Sequence, residues 1–198
     1  MRKGVGIVCL ALGAVLILSA LLFAGRNEQE SEEAGRQSDE LLAQIEAQIG
    51  GQPAAESQPG QQDTEEPADP MALAKGYEAI GILDLPDLGL RLPVLADYDE
   101  ARLQAAPCRH LGSLEEGNLV IAGHNYRRHF AYLKKLAPGA RITFTDMEGI
   151  VHPFVLDHTD TIAGTDVAAV TDSGFPLILY TCDYTGEGRI TLFFSAEE

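Results

Sequence analysis

The chain has 198 residues, 45% of them apolar, and its 30 acidic residues outweigh 14 basic ones for a net charge of −16. Such an excess of acid argues against a nucleic-acid partner, because phosphate backbones are bound by clustered cations. There is no HExxH, paired CxxC, P-loop or GxGxxG pattern, so zinc-hydrolase, phosphate-loop and dinucleotide chemistries have no support in the sequence.

In chain order, Arg2 and Lys3 precede an uncharged stretch from Gly4 to Ala24. About 20 apolar residues cross a bilayer core as a helix, whereas a cleaved signal peptide has a shorter apolar region and a small-x-small site. Ala20 and Ala24 each have leucine two positions earlier (Leu18 and Leu22), so neither offers that site. Cys9 lies too early in the run to read as a lipid-modified cysteine. Residues 1–25 are therefore expected to be a cytoplasmic tip and an uncleaved transmembrane anchor. Basic residues before it and Glu28, Glu30, Glu32 and Glu33 after it place the N-terminus inside and the rest outside the cell.

Residues 26–75 carry 12 acids and 3 bases, which reads as a solvated, flexible stalk rather than a binding element. Within it, Leu41, Leu42, Ile45 and Ile49 recur at helical spacing, with Ser38 as N-cap and Gly50-Gly51 as a stop. The spacing predicts a short helix over 38–49, either packed on the domain or its membrane, or marginal in a mobile stalk. From Gly50 to Pro70 the composition is that of a linker.

Residues 76–198 form the globular part, enough for one core. Short apolar runs recur at Ile80–Leu83, Leu90–Leu95, Leu119–Ala122, Ile142–Phe144, Val151–Leu156, Phe175–Tyr180 and Ile190–Phe194, separated by Pro and Gly breakers. That spacing predicts a mostly β fold, a sandwich or barrel, with small helices at Asp99–Gln104 and Phe130–Leu136.

One run ends in Leu179-Tyr180-Thr181-Cys182, another in Ala122-Gly123-His124-Asn125, and Arg189 opens the run after the cysteine. A thiol, an imidazole and a guanidinium at strand ends are the parts of a cysteine acyl-transfer site. Taken singly, each has a plainer reading. Cys182 is a buried structural cysteine, or one half of a disulfide with Cys108 in an oxidising compartment. Arg189 is an ion-pair partner of Glu187 or Asp183. His110, His129, His152 and His158 read as surface or loop residues, with His129 the one rival to His124 as the base. Thr181 either touches substrate or fills a strand position.

The constellation resembles that of the sortases, membrane-anchored cysteine transpeptidases of Gram-positive bacteria. Ile178-Leu179-Tyr180-Thr181-Cys182 matches the family's Thr-Leu-x-Thr-Cys strand end, with Ile178 in place of the first threonine. Ala122-Gly123-His124 and Arg189 match its histidine and arginine contexts, and the likeness runs from Ile80 to the last strand. The resemblance implies a closed β-barrel of about eight strands with short helices. It implies that Cys182 is the nucleophile, His124 the acid/base and Arg189 the group that orients a carbonyl or oxyanion. Thr181, Asn125 and the Asp183 region fall on the substrate side, and Cys108 is a candidate redox partner.

The implied reaction cleaves a Leu-Pro-x-Thr-Gly-like signal of a secreted protein and joins it to an amine, either of a cell-wall precursor or of a pilin lysine. Neither metal site nor cofactor is expected. Calcium dependence stays open, with Glu115, Glu116, Asp160 and Asp166 as flanking acids. A surface-anchored hydrolase that uses water as acceptor, and a non-catalytic assembly module, remain as alternatives, as does the class within the family.

Overall fold

The computed structural model describes residues 2–51, 71–166, 168–183 and 187–197. The linker expected at 50–70 therefore lies almost wholly outside the described residues, as does Gly186 of the expected turn. The chain divides into two compact units, 1–33 and 34–198.

The first unit belongs to α1 (Arg2–Gly51). The large apolar side chains from Leu10 to Phe23 are all exposed. One long apolar N-terminal helix of this kind is consistent with a membrane anchor.

The second unit is a β-barrel with the rest of α1 laid on it. Its strands are β1 (Ala72–Ala74), β2 (Tyr77–Leu85), β3 (Leu90–Leu95), β4 (Cys108–Leu111), β5 (Leu119–Ala122), β6 (Arg141–Asp146), β7 (Val151–Ala163), β8 (Leu177–Cys182) and β9 (Gly188–Ala196). Two short helices, α2 (Glu100–Ala105) and α3 (Ala168–Thr171), sit in the β3–β4 and β7–β8 connections. The sheet order is β1-β2-β3-β4-β5-β8-β9-β7-β6, and β6 pairs back onto β2. Eight strands thus close the mixed barrel, and β1 is a short extension hairpinned to β2. The β3–β4 and β5–β8 pairs are parallel and the others antiparallel.

Closure explains the apolar runs. Leu83, Leu92, Ile121, Phe144, Leu179 and Phe194 belong to the cluster that fills the interior. Alternate positions on β5 and β8 face two further clusters outside the barrel, so β5 is buried along its whole length. One outer cluster joins Leu41 and Ile45 of α1 to Leu103 of α2, Leu95 of β3, Cys108 of β4 and Ala122 of β5. Leu41 is 1% exposed and Ile45 is fully buried. Burying each such side chain stabilises by about 1.5–3 kcal/mol.

The expected 38–49 helix is thus the barrel-packed end of a single helix that reaches back to Arg2. Residues 34–51, assigned from sequence to a flexible stalk, belong to the same compact unit as the barrel. Tertiary packing supplies what a short isolated helix lacks. The helix expected at Phe130–Leu136 is instead a run of turns ending in a 3₁₀ turn, Leu133–Lys135. Bonds from His129 N–H to the Tyr126 carbonyl and from Leu133 N–H to the Phe130 carbonyl close three-residue loops there.

Candidate active site

Cys182 is the last residue of β8, and the antiparallel register sets it directly opposite Arg189 at the start of β9. Opposed residues of such a pair project to the same side of the sheet. Here it is the outer side, because the intervening Leu179–Leu192 pair faces the barrel interior.

β5 runs parallel to β8 with Ala122 level with Tyr180, and the Gly123 N–H donates to the Tyr180 carbonyl at 3.1 Å. Beyond that pair both chains run on towards the same end of the barrel, β8 to its last residue Cys182 and the segment after β5 to His124. Neighbouring strands lie about 4.8 Å apart. Cys182 and Arg189 thus face each other across β8–β9, and the segment that carries His124 leaves β5 at the same end of the barrel.

The ladder does not extend to the His124 side chain itself, which is held by packing. A Cβ on Gly123 would lie 2.4 Å from the ring of Phe130, so only glycine lets that buried ring close under the strand end. The Phe130 N–H then donates to the His124 carbonyl at 3.1 Å. The imidazole packs at 4.8 Å on Tyr126, whose ring lies 5.8 Å from that of His129. Its Nε2 is 3.4 Å from Glu100 Oε1, a charge contact not aligned as a hydrogen bond. Burial holds the His124 imidazole below its ordinary range, and the Glu100 carboxylate pulls the other way.

Arg189 forms part of the wall of a cleft of about 170 Å³, together with Tyr98, His110, Gly164, Asp166 and Tyr180. The Tyr180 hydroxyl lies 2.9 Å from His110 Nδ1, and the His110 ring packs at 4.6 Å on Tyr98. Burial pushes the Tyr180 phenol up and the His110 imidazole down, so both groups of this contact are favoured in their neutral forms. Cys182 and His124 do not line this cleft, which approaches the three residues from the Arg189 side.

Other sequence candidates fall differently. Cys108 and Cys182 are both free. Cys108 pairs with Ala122 on β5, so a whole strand separates β4 from β8. Two strand spacings, roughly 10 Å, exceed the 4.4–6.8 Å between Cα atoms that a disulfide needs. The candidate redox partner is therefore not brought to Cys182, and burial pushes its thiol up to about 12. In the Asp183 region, expected on the substrate side, the Asp183 N–H donates to the Gly188 carbonyl at 3.0 Å and closes the β8–β9 hairpin. The Asp183 carboxylate covers Gly188, where a Cβ would meet it at 2.7 Å.

Thr181 is 1% exposed and its hydroxyl has no hydrogen-bond partner among the described residues, the burial of a residue that fills a strand position. Asn125 is half-buried in the turn beyond His124. His129, the rival base, is fully buried with the Ala34 backbone of α1 against it, and burial lowers it to about 4. A ring that is enclosed and neutral at physiological pH is poorly suited to exchange protons with Cys182. Among the described residues, no three His, Cys, Asp or Glu side chains gather as a metal set.

Two features escaped the sequence. Tyr180 lies two residues before Cys182 on the same strand face, and that parity is a signal for a cleft residue. Nothing in the sequence marks the contact of Glu100 with His124.

The sortase-domain family model matches residues 83–195, and the chain belongs to the sortase family. Membership of this family implies a cysteine transpeptidase. Among solved structures, sortase C-3 from Streptococcus pneumoniae is similar at 19% identity and a TM-score of 0.55, over 84% of each chain. A sortase D5 transpeptidase from Clostridium perfringens is 17% identical with a TM-score of 0.54, over 61% of this chain and 79% of that one. Sortase A from Listeria monocytogenes is 22% identical with a TM-score of 0.51, over 61% and 88%. At these identities the likeness establishes the fold. No curated protein matches the chain.

Proposed function

We propose that this protein is a membrane-anchored sortase whose nucleophile is Cys182, whose acid/base is His124 and whose carbonyl-orienting group is Arg189. Its substrate is a secreted protein with a Leu-Pro-x-Thr-Gly-like signal, the type on which the family generally acts. The observation that supports this reading is the register: Cys182 faces Arg189 across β8–β9, and β5, whose chain continues to His124, runs parallel to β8 towards the same end of the barrel.

The chemistry follows from the three groups. The Cys182 thiolate attacks the Thr–Gly carbonyl, a C–S bond forms, and the carbonyl electron pair moves onto oxygen near the Arg189 guanidinium. The planar fork of arginine supplies fixed donors for that charge. As the oxyanion collapses the C–N bond breaks, and imidazolium His124 protonates the departing glycine amine. An acceptor amine then attacks the thioester and gives up a proton to neutral His124. A new amide forms and the thiolate leaves.

The acceptor is an amine of a cell-wall precursor or of a pilin, and the mechanism uses only the chain's own groups. In the same reading α1 anchors the enzyme with Arg2 and Lys3 inside, so that the barrel meets its tethered substrates outside.

The test is direct. Purified protein incubated with a Leu-Pro-x-Thr-Gly peptide and an added amine should give the amide product by mass spectrometry. A thioacyl adduct should be trapped on Cys182, and Cys182→Ala should be inactive yet as stable as the parent. Turnover by Cys182→Ala would overturn the assignment. Hydrolysis alone, unaffected by added amine, would replace transfer with peptidase activity.

A further inference from the structure

We propose that Glu100 is a positioning residue for His124: the first turn of α2 presents its carboxylate to Nε2 as a counter-charge that favours the imidazolium and leaves Nδ1 as the ring edge for other partners. This deepens the reading above and rests on His124 being the acid/base.

The geometry points to Glu100 because α2 is a braced platform. Asp99 caps it, its carboxylate accepting the Arg102 N–H at 2.8 Å and pairing with the Arg102 guanidinium. Leu103 and Ala105 bury α2 in the outer cluster that also holds Ala122, two residues before His124. Both partners of the contact are thus fixed to one apolar foundation although they come from different connections. Glu100 Oε1 lies 3.4 Å from His124 Nε2, and that nitrogen is otherwise enclosed without a hydrogen bond.

The other groups that face the ring or lie at the same end of the barrel offer no fixed negative charge at Nε2. Tyr126 and His129 come from its own loop, where His129 is a neutral neighbour flanked by Arg128. Arg189, on β9, is cationic. Cys182, at the end of β8, contributes negative charge only as the thiolate. Glu100 is the carboxylate that the described residues place in contact with the ring.

The consequence for catalysis follows from the burial of His124. An imidazole held below its ordinary value is harder to protonate, so the imidazolium that the leaving amine needs becomes scarcer, and its population rises with each increment of imidazolium stability. A carboxylate at Nε2 raises that population, and it can do so without touching substrate. Glu100 is itself largely exposed, so solvent limits the effect to that of an exposed ion pair.

The experiment compares the full-length protein in detergent micelles with Glu100→Gln and Glu100→Asp. Two readouts are taken: the pH profile of kcat/KM on a sorting-signal peptide with amine, and the titration of the His124 ring by NMR. Removing the carboxylate should lower the His124 midpoint by about half a pH unit, move the acid limb of the profile by the same amount and in the same direction, and lower the plateau about threefold. Glu100→Asp should recover part of the change. An unmoved ring titration in Glu100→Gln overturns the proposal, whatever happens to the rate. If the parent fails to turn over the peptide, the proposed function falls, while the ring titration still decides the role of Glu100.

Discussion

The two sides of the candidate site are built by different means. On one side, Cys182 and Arg189 are fixed by a hairpin ladder in which every residue from Leu177 to Cys182 has a partner on β9. On the other, His124 sits beyond the last pair of β5, on a turn held by the Phe130 ring, by α2 and by the barrel-packed end of α1. Backbone register is enough to place Cys182 opposite Arg189. Setting the histidine needs tertiary packing from elements distant in sequence. The Cys182 side should therefore tolerate damage to the outer cluster, and the His124 side should not.

The largest effect that would sharpen this contrast is Leu41→Ala. The side chain is 1% exposed and shares its cluster with Leu103 and Ala122. Truncation of a buried leucine costs roughly 2–5 kcal/mol. Denaturant unfolding of the barrel should show that loss. Just below the transition, transpeptidation should fall while alkylation of Cys182 by a thiol reagent keeps its rate. Parallel loss of both would erase the distinction between the two sides.

The hairpin side is probed by Arg189→Lys. The charge survives but the fork of donors does not, and losing an oxyanion donor costs about 10²–10³-fold in rate. The guanidinium packs over Gly164, 3.3 Å from where a Cβ would stand, and its Nη1 donates to the Gly188 carbonyl at 3.2 Å. The unfolding midpoint should move little, because these are the contacts of a cleft wall and not of the core. Full activity in Arg189→Lys would remove the residue from the reaction.

The same difference governs what the sequence made legible. The strand end before His124 could be read because a barrel strand buried on both faces is a continuous apolar run, and Leu119–Ala122 matches β5 at both ends. The second half of β7 could not. Asp157 to Thr161 are exposed, and pairing with β9 is what keeps them extended. β4 was hidden for a similar reason, since Cys-Arg-His-Leu shows no apolar run and is held between β3 and β5. The continuity of α1 was masked because residues 26–37 carry no apolar stripe. Glu, Gln, Arg and Ala there are good helix formers without any pattern that says so. Glu100 read only as an ordinary acidic residue in a first helical turn. Its contact with His124 is long-range, and no spacing encodes it.

His129 offers the finest test of the packed side. It is fully buried beneath the His124 turn, with the Ala34 backbone against it and with His124 and the cationic Arg128 as neighbours. Burial, the first cause, and then those charges lower it from 6.5 to about 4. The unfolded chain therefore binds a proton that the folded chain refuses between those values, and stability rises with pH across the window. In the other direction, acidification from pH 6.5 to 4 should remove ~3 kcal/mol, at about 1.4 kcal/mol for each pH unit crossed. Denaturant midpoints measured at half-unit steps would trace that slope. His129→Phe, which fills a similar volume without a proton site, should flatten it while preserving transpeptidation near neutrality. A slope unchanged in His129→Phe would assign the acid sensitivity elsewhere. Lost activity in a well-folded His129→Phe would mean that this ring, and not the packing around it, sets the geometry of His124.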